Sequence, residues 1–436
     1  MSATLNAFPT WSPSTLATST TLRSIETTYA SGLALTLSSA LKNAETKTGY
    51  ELISLSQIIR GAQASLTIIL AEKVLATATE SSVKSAATQA IFDASVNLHS
   101  LAWDENLYGI RLNRPGNIIY FTVFTFVFFY IVFMLIKSRF HWYNITFFCG
   151  FALEFLGFLG RILAFTDDTN MNYFLLQFVS LTIAPAFIMA GIYFLFAQLV
   201  IIHGRQYSVL KPMWYSYMFI VSDVVSLFIQ AAGGGAASAA TSENRDASGG
   251  TNTMIAGIAF QVFSMSVFLL FWFEFINRIY FKNSNFEESG SKLSKRSLSS
   301  FFKLVLNLKS VRVYREEYLE KFYNDKYRHI RHRVLFNWYP LVITLAVIFV
   351  YIRSVYRVVE LAQGFSGYLI EHEVFLMVLD ALMIALAGLV FIPFHPVWVI
   401  GADNVIKVKH IKKNLDEKDE ATVSEAVLEY SRSDLA

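Results

Sequence analysis

The chain has one cysteine, Cys149, among 436 residues, so no intramolecular disulfide can form. Charge is scarce as well. Asp, Glu, Lys and Arg make up 16% of residues, against 54% hydrophobic and 15% aromatic, a balance too apolar for a water-soluble globular protein of this length. The first 30 residues are rich in Ser and Thr and lack a basic stretch followed by an apolar core, so no cleavable leader is expected and the first membrane span would direct targeting. No G-x-x-x-x-G-K-[ST] loop is present to hold nucleotide phosphates, and no G-x-S-x-G elbow to present a nucleophile. Of the eight histidines, none in the apolar windows shows metal-ligand spacing. His329 and His332 have no Cys or carboxylate neighbours suited to zinc. No metal or other cofactor is expected, and an intramembrane lipid-modifying enzyme is the weakest function class.

What the sequence has instead is long apolar windows. They cover 117–136, 143–165, 173–202, 213–233, 254–275, 335–351 and 373–396, close to the roughly 20 residues that cross a bilayer as a helix. The expectation is an all-α polytopic membrane protein with seven transmembrane helices. The sixth is the weakest, because Tyr339 and Pro340 fall inside it. Residues 1–114 mix Ala, Ser and Thr with scattered charge; their best apolar run, from Leu66 to Ala71, is too short to span, so they read as an extramembrane segment. The seven-helix domain then covers 115–400, followed by a tail over 401–436.

Lys and Arg collect in alternate loops, which orients the chain because cytoplasmic loops retain cations. Lys137 and Arg139 lie in the first loop, Arg205 and Lys211 in the third, and Lys407, Lys409, Lys412 and Lys413 in the tail. Loop two carries Asp167 and Asp168 without a cation, and loop four sets Arg245 against Glu243 and Asp246. The N-terminus is therefore expected outside and the C-terminus inside. Loop six breaks the pattern with Arg353 and Arg357, a hint that these arginines are occupied rather than solvated. Loop five, 278–333, holds fourteen cations against six acids, a net charge of +8. Attraction to anionic inner-leaflet lipid, at about 1 kcal/mol per well-placed cation, is one reading; a solvated linker that only fixes topology is the other. Membrane tethering argues against nucleic acid as a partner. The Ser-rich run over 289–300 could take phosphates that weaken the attraction.

Charges also sit inside the apolar windows, where a carboxylate at the bilayer centre costs about 2.5–3.5 kcal/mol and so marks a candidate functional site. Asp223, Ser226 and Gln230 fall at i, i+3 and i+7 on one helix face, followed by Gly233 to Gly235, which end the helix or let another backbone approach. The spacing recurs in Glu154, Gly157 and Arg161, in Gly257, Gln261 and Ser264, in Arg353, Arg357 and Glu360, and in Glu373 with Asp380. Unpaired charges at such depths are costly, so acids and arginines should meet and form one polar seam. Interhelical glue is the bland reading of the same residues. Pro185 in the third span should kink its helix and free a carbonyl that needs a neighbour or a cavity.

These stretches resemble the fungal RTA-like family of lipid-translocating exporters. The resemblance runs from Glu154-Phe155-Leu156-Gly157-Phe158-Leu159-Gly160-Arg161, through Ala184-Pro185 and Gly191-Ile192-Tyr193, to Ser222-Asp223-Val224-Val225 with Gln230-Ala231-Ala232-Gly233-Gly234-Gly235. It continues in Ala256-Gly257-Ile258-Ala259-Phe260-Gln261, in Arg353-Ser354-Val355-Tyr356-Arg357-Val358-Val359-Glu360, and in Asp380-Ala381-Leu382 to His395-Pro396. It implies seven spans with an external N-terminus, and residues from Gly367 to Met383 look most similar to the family's exporters of sphingoid long-chain bases at the plasma membrane. Export or outward flipping of such bases, with resistance to amphiphiles, is the implied function. The longer N-terminal segment and the extended loop five depart from the family pattern and inherit no role. A sphingoid base carries a cationic amine, so Asp223, Asp380 or Glu154 could pair with it, with Arg161, Gln230, Gln261, Arg353, Arg357 and Glu360 completing the translocation site. The alternative is a seven-helix receptor or sensor regulating lipid asymmetry and drug tolerance, with loop five and the tail as coupling surfaces. Which proteins it would partner is left open by the sequence.

Overall fold

The computed structural model describes residues 17, 19–48, 50–242, 246–282, 296–363 and 367–402. Glu243, Arg245, Glu287, Glu288, Lys292, Lys295, the serines at 289, 291 and 294, and the tail lysines Lys407, Lys409, Lys412 and Lys413 lie outside them. Among the described residues all regular structure is helical, and eight helices are long and apolar enough to cross a membrane. Seven lie over the expected windows. The other, Glu51–Thr77, is the least apolar of the eight and falls in the segment read as extramembrane. Its short run over 66–71 is extended by Ala, Ser, Gln and Ile into one continuous helix.

The chain divides into two compact units. The first takes the described residues of 1–112, 163–174 and 231–254. In it α2 (Tyr50–Thr77) packs against α1 (Ala30–Ala44) and α3 (Ser81–Asp104). The contacts are made by small residues: Ala40 and Ala44 meet Ile59, Ala64 and Ile68 meet Ala94, and Ala71 meets Ala87 and Ile91. Alanines at these positions bring the helix backbones close. Arg60 of α2 is held on α3 by Asn97 Oδ1 at 2.5 Å and by Asp104 at 3.1 Å. The same unit holds a crossing between the end of α7 (Pro212–Ser242) and the start of α8 (Ser248–Phe281). A Cβ on Gly233 would lie 2.8 Å from the Gly250 carbonyl oxygen. Of the two roles open to Gly233, close approach is the one realised, because the helix runs on to Ser242. Just before α8, Asp246 accepts from the Ser248 hydroxyl at 2.6 Å and its backbone N–H at 2.9 Å, bonds that hold its carboxyl below the usual range.

The second unit takes 113–162, 175–230 and the described residues from 255 on. It contains α4 (Arg114–Lys137), capped by the Asn113 side chain with Pro115 in the first turn, and α5 (His141–Leu163). Most of α6 (Met171–His203) also belongs here, and within this unit α6 is the central helix: every residue from Ile188 to Val200 is buried. Glycines let α5 lie directly on it, since a Cβ on Gly157 would come within 2.5 Å of Leu181 and one on Gly191 within 2.5 Å of Phe147.

The sixth expected span is resolved in a way that explains its weakness in the sequence. A 3-10 turn, Leu335–Trp338, leads into α11 (Tyr339–Ala362), with α9 (Leu298–Val305) and α10 (Lys309–Glu317) lying before it in the chain. Pro340 sits in the first turn of α11, where a missing N–H costs nothing. This helix runs eleven residues past the expected end at 351, which places Arg353, Arg357 and Glu360 on a helix rather than in a loop. The last span begins with Glu373–Phe375, widens into a π-helical turn over Leu376–Ala381, and continues as α12 (Leu382–Phe391).

The described stretch of loop five over 296–333 is folded rather than wholly solvated. Buried Arg331 pairs with Glu320 at 2.7 Å and donates to the carbonyls of Ile202 at 2.8 Å and Asn324 at 2.6 Å. It thereby closes the end of α6, whose last carbonyls have no helical partner. Tyr323 donates to the Ile279 carbonyl at 3.1 Å, and burial pushes its phenol well above the ordinary value. Arg312 stacks on the Trp338 ring, so these cations serve the fold.

Candidate functional site

The charges inside the spans of the second unit do not form one seam; they fall into separate clusters. In the first, Arg161 of α5 pairs with Glu373 and donates from Nε to Asn117 Oδ1 at 2.5 Å. The Asn117 amide and the Asn113 backbone N–H donate to the same carboxylate at 2.8 and 2.5 Å. The cluster joins distant parts of the chain: Asn113 and Asn117 stand one turn apart at the start of α4, Arg161 is on α5, and Glu373 opens the last span.

The second cluster is a quartet. Arg353 and Arg357 of α11 both pair with Asp380, which the π-helical turn carries, and Arg357 also pairs with Glu360 at 2.9 Å. Tyr356 donates to Glu360 at 2.8 Å. Two cations and two anions cancel. Arg353 makes one further bond, to the carbonyl of Leu181 on α6. Leu181 stands four residues before Pro185, which has no N–H to close the helical bond. The carbonyl freed by the proline has thus found its neighbour, as the sequence requires.

Glu154, on α5, is buried beside this quartet. It interacts electrostatically with Arg353, Asp380 and Arg357 but forms no ion pair among the described residues, and its Oε1 has no hydrogen-bond partner. Asp223, on α7, is 2% exposed. Its Oδ2 accepts from the Tyr193 hydroxyl at 3.1 Å, and its Oδ1 has no partner. Among the described residues no arginine meets it. Ser226 turns back to the Asp223 carbonyl at 2.7 Å, and Gln230 bonds Gln261 across to α8 at 3.2 Å.

The expected pairing of acids with arginines is therefore realised for Arg161, Arg353, Arg357, Glu360 and Asp380, and not for Glu154 or Asp223. Asn117, Glu373, Tyr193 and Tyr356 complete the clusters. Glu373 was visible in the repeated spacing. Asn117 had a weaker signal, a lone amide at the start of an apolar window, and Tyr193 none beyond its place in a motif. The seven-residue spacing of Glu373 and Asp380 does not put them together, because the wider π turn lies between them and each serves a different arginine.

No solved structure matches the chain. It is 37% identical over 308 residues to the sphingoid long-chain base transporter RSB1 of Saccharomyces cerevisiae, covering 69% of this chain and 76% of that one. It is 30% identical over 248 residues to protoporphyrin uptake protein 1 of the same yeast, covering 57% of this chain and 66% of that one. Protein RTM1, also of Saccharomyces cerevisiae, is 29% identical over 251 residues, covering 57% of this chain and 65% of its own. The profile of the RTA1-like protein family matches residues 147–403, more than half of the sequence, and the chain belongs to that family.

Proposed function

We propose that the chain carries sphingoid long-chain bases across the plasma membrane as a non-enzymatic, seven-span protein, with its N-terminus outside and its C-terminus in the cytoplasm. Residues 1–114 are then an external segment and 401–436 a cytoplasmic tail. The observation that supports this best is the contrast among buried charges. Arg161, Arg353 and Arg357 are each matched by a carboxylate, whereas among the described residues Asp223 has no cation to match it. An amine cation is the complement that a buried, unmatched carboxylate lacks.

Asp223 suits an amphiphile in particular. The Tyr193 hydroxyl touches it, and Gln230 and Gln261 lie on the same helix face or across from it, able to exchange their mutual bond for bonds to head-group hydroxyls. Val221, Val224, Val225 and Phe228 of the same helix are exposed apolar side chains, against which the hydrocarbon chain of the base can lie. The arginine clusters hold α4, α5, α6, α11 and the last span in register. In loop five, exposed Arg296, Lys303, Lys321, Lys326 and Arg328 accompany exposed Phe302, Leu306 and Leu308, a combination suited to anionic inner-leaflet lipid.

The test is reconstitution of the purified chain in phosphatidylcholine vesicles with a labelled C18 sphingoid base. Protein-dependent movement of the unchanged lipid across the bilayer is expected. No movement above protein-free vesicles would overturn the transporter reading and return the receptor.

A further inference from the structure

The transporter reading leaves one buried carboxylate without a task. Glu154 is 1% exposed; α4 packs on its helix through the Phe121–Phe155 and Phe124–Phe158 rings, and the charges that act on it come from α11 and the π-helical turn. Arg353, Arg357 and Glu360 face the cluster from α11, and Asp380 faces it from the π-helical turn. From α6 comes the Leu181 carbonyl and no titratable group, and on α5 itself Arg161 lies two turns away, held by Glu373. The four charges of the quartet already cancel, so an ionised Glu154 would add a fifth charge with nothing to balance it. One turn along α5, Gly157 has the Leu181 side chain directly against it.

Two unused valences sit in this cluster. Glu154 Oε1 is a buried acceptor without a donor, and Arg357 Nε is a buried donor without an acceptor. The joint they border is built from two departures from regular helix. One is the carbonyl that Pro185 frees, which Arg353 holds; the other is the π turn that presents Asp380 to both arginines. A π turn inside an α-helix is a frequent mark of a functional site, since loss of the extra residue shifts the helix register.

We propose that Glu154 is a proton-binding site whose ionisation decides which carboxylate Arg353 and Arg357 serve. With the proton on, the arginines stay on Asp380 and the Leu181 carbonyl, as observed. With the proton released, the Glu154 carboxylate competes for both, the hold on α6 and on the π turn weakens, and the spans can shift against one another. Movement of the base is in this way tied to exchange of a proton. This inference rests on the transporter reading.

Two measurements on the full-length protein test it. A radiolabelled hydrophobic carbodiimide, which adds to protonated carboxyl groups in apolar surroundings, should label Glu154 and leave Asp380, Glu360 and Glu373 unlabelled, with labelling at Glu154 falling as pH rises. Absence of label at Glu154, or equal label at Asp380, contradicts the proposal. In phosphatidylcholine vesicles, a gradient of about one pH unit should change the protein-dependent distribution of a labelled C18 sphingoid base by up to about tenfold in the wild type. Glu154→Gln should still move the base but ignore the gradient. Wild-type movement that ignores the gradient overturns the proton site and leaves the transporter standing, whereas no movement under any gradient overturns both. The wild-type readouts decide the matter even if Glu154→Gln fails to fold.

Discussion

The quartet of Arg353, Arg357, Asp380 and Glu360 and the site around Asp223 each bury an aspartate within the spans, and they differ in what meets it. In the quartet each charge has an opposite charge in contact. Asp223 has a phenol and an empty oxygen. Paired charges in a low-dielectric interior hold elements together, and removal of one member strands the rest. An unpaired carboxylate contributes no such bond, and its persistence calls for a partner outside the chain. Charge inside a span is therefore not one kind of evidence but two, and only the neighbour tells which.

Breaking the quartet should give the largest effect. Asp380→Ala takes its ion-pair partner from buried Arg353 and one of two from half-buried Arg357, and an expected loss of about 3–5 kcal/mol should appear as a lower unfolding midpoint in detergent. Asp223→Asn, measured beside it, should leave the midpoint unchanged or raise it. An equal loss for both would erase the comparison. Gly157→Val places methyl groups against Leu181 at the joint where Arg353 holds the proline-freed carbonyl, and overpacking of this kind costs about 1–3 kcal/mol by the same assay. The smallest effect sharpens the other side of the comparison. Tyr193→Phe removes the Tyr193 hydrogen bond to the Asp223 carboxylate, and a net bond of about 0.5–1.5 kcal/mol predicts a several-fold change in sphingoid-base affinity with little change in stability.

Much of the fold was legible because span length and apolarity are local properties. The seven expected windows all became helices, and the freed carbonyl before Pro185 could be named as needing a partner from the chemistry of proline alone. Loop six, with Arg353 and Arg357, looked anomalous as a solvated loop, and the anomaly dissolves because α11 continues to Ala362 with those arginines inside the protein. Hydropathy ended that span early because it scores a paired arginine as it scores a free one. What periodicity could not supply was the neighbour. Spacing put Arg161 on the face of Glu154, two turns away, yet Arg161 pairs with Glu373, 212 residues on. Likewise the π turn is a tertiary outcome, with Asp380 drawn to two arginines at once, and nothing in Leu376–Ala381 announces it. The small-residue packing of α1, α2 and α3 escaped notice for a different reason: alanine is apolar enough to pack and too small to raise an apolar run.

The central claim is that an unmatched carboxylate on α7 receives the amine of the substrate, and it is tested most directly by binding. Affinity of the purified protein should be measured for a C18 sphingoid base and for its uncharged N-acetyl derivative, with wild type and Asp223→Asn. The account predicts that wild type prefers the charged base by at least about tenfold, equivalent to about 1.4 kcal/mol, and that Asp223→Asn loses the preference. A wild type that binds both alike, or an Asp223→Asn protein that keeps the full preference, would contradict it.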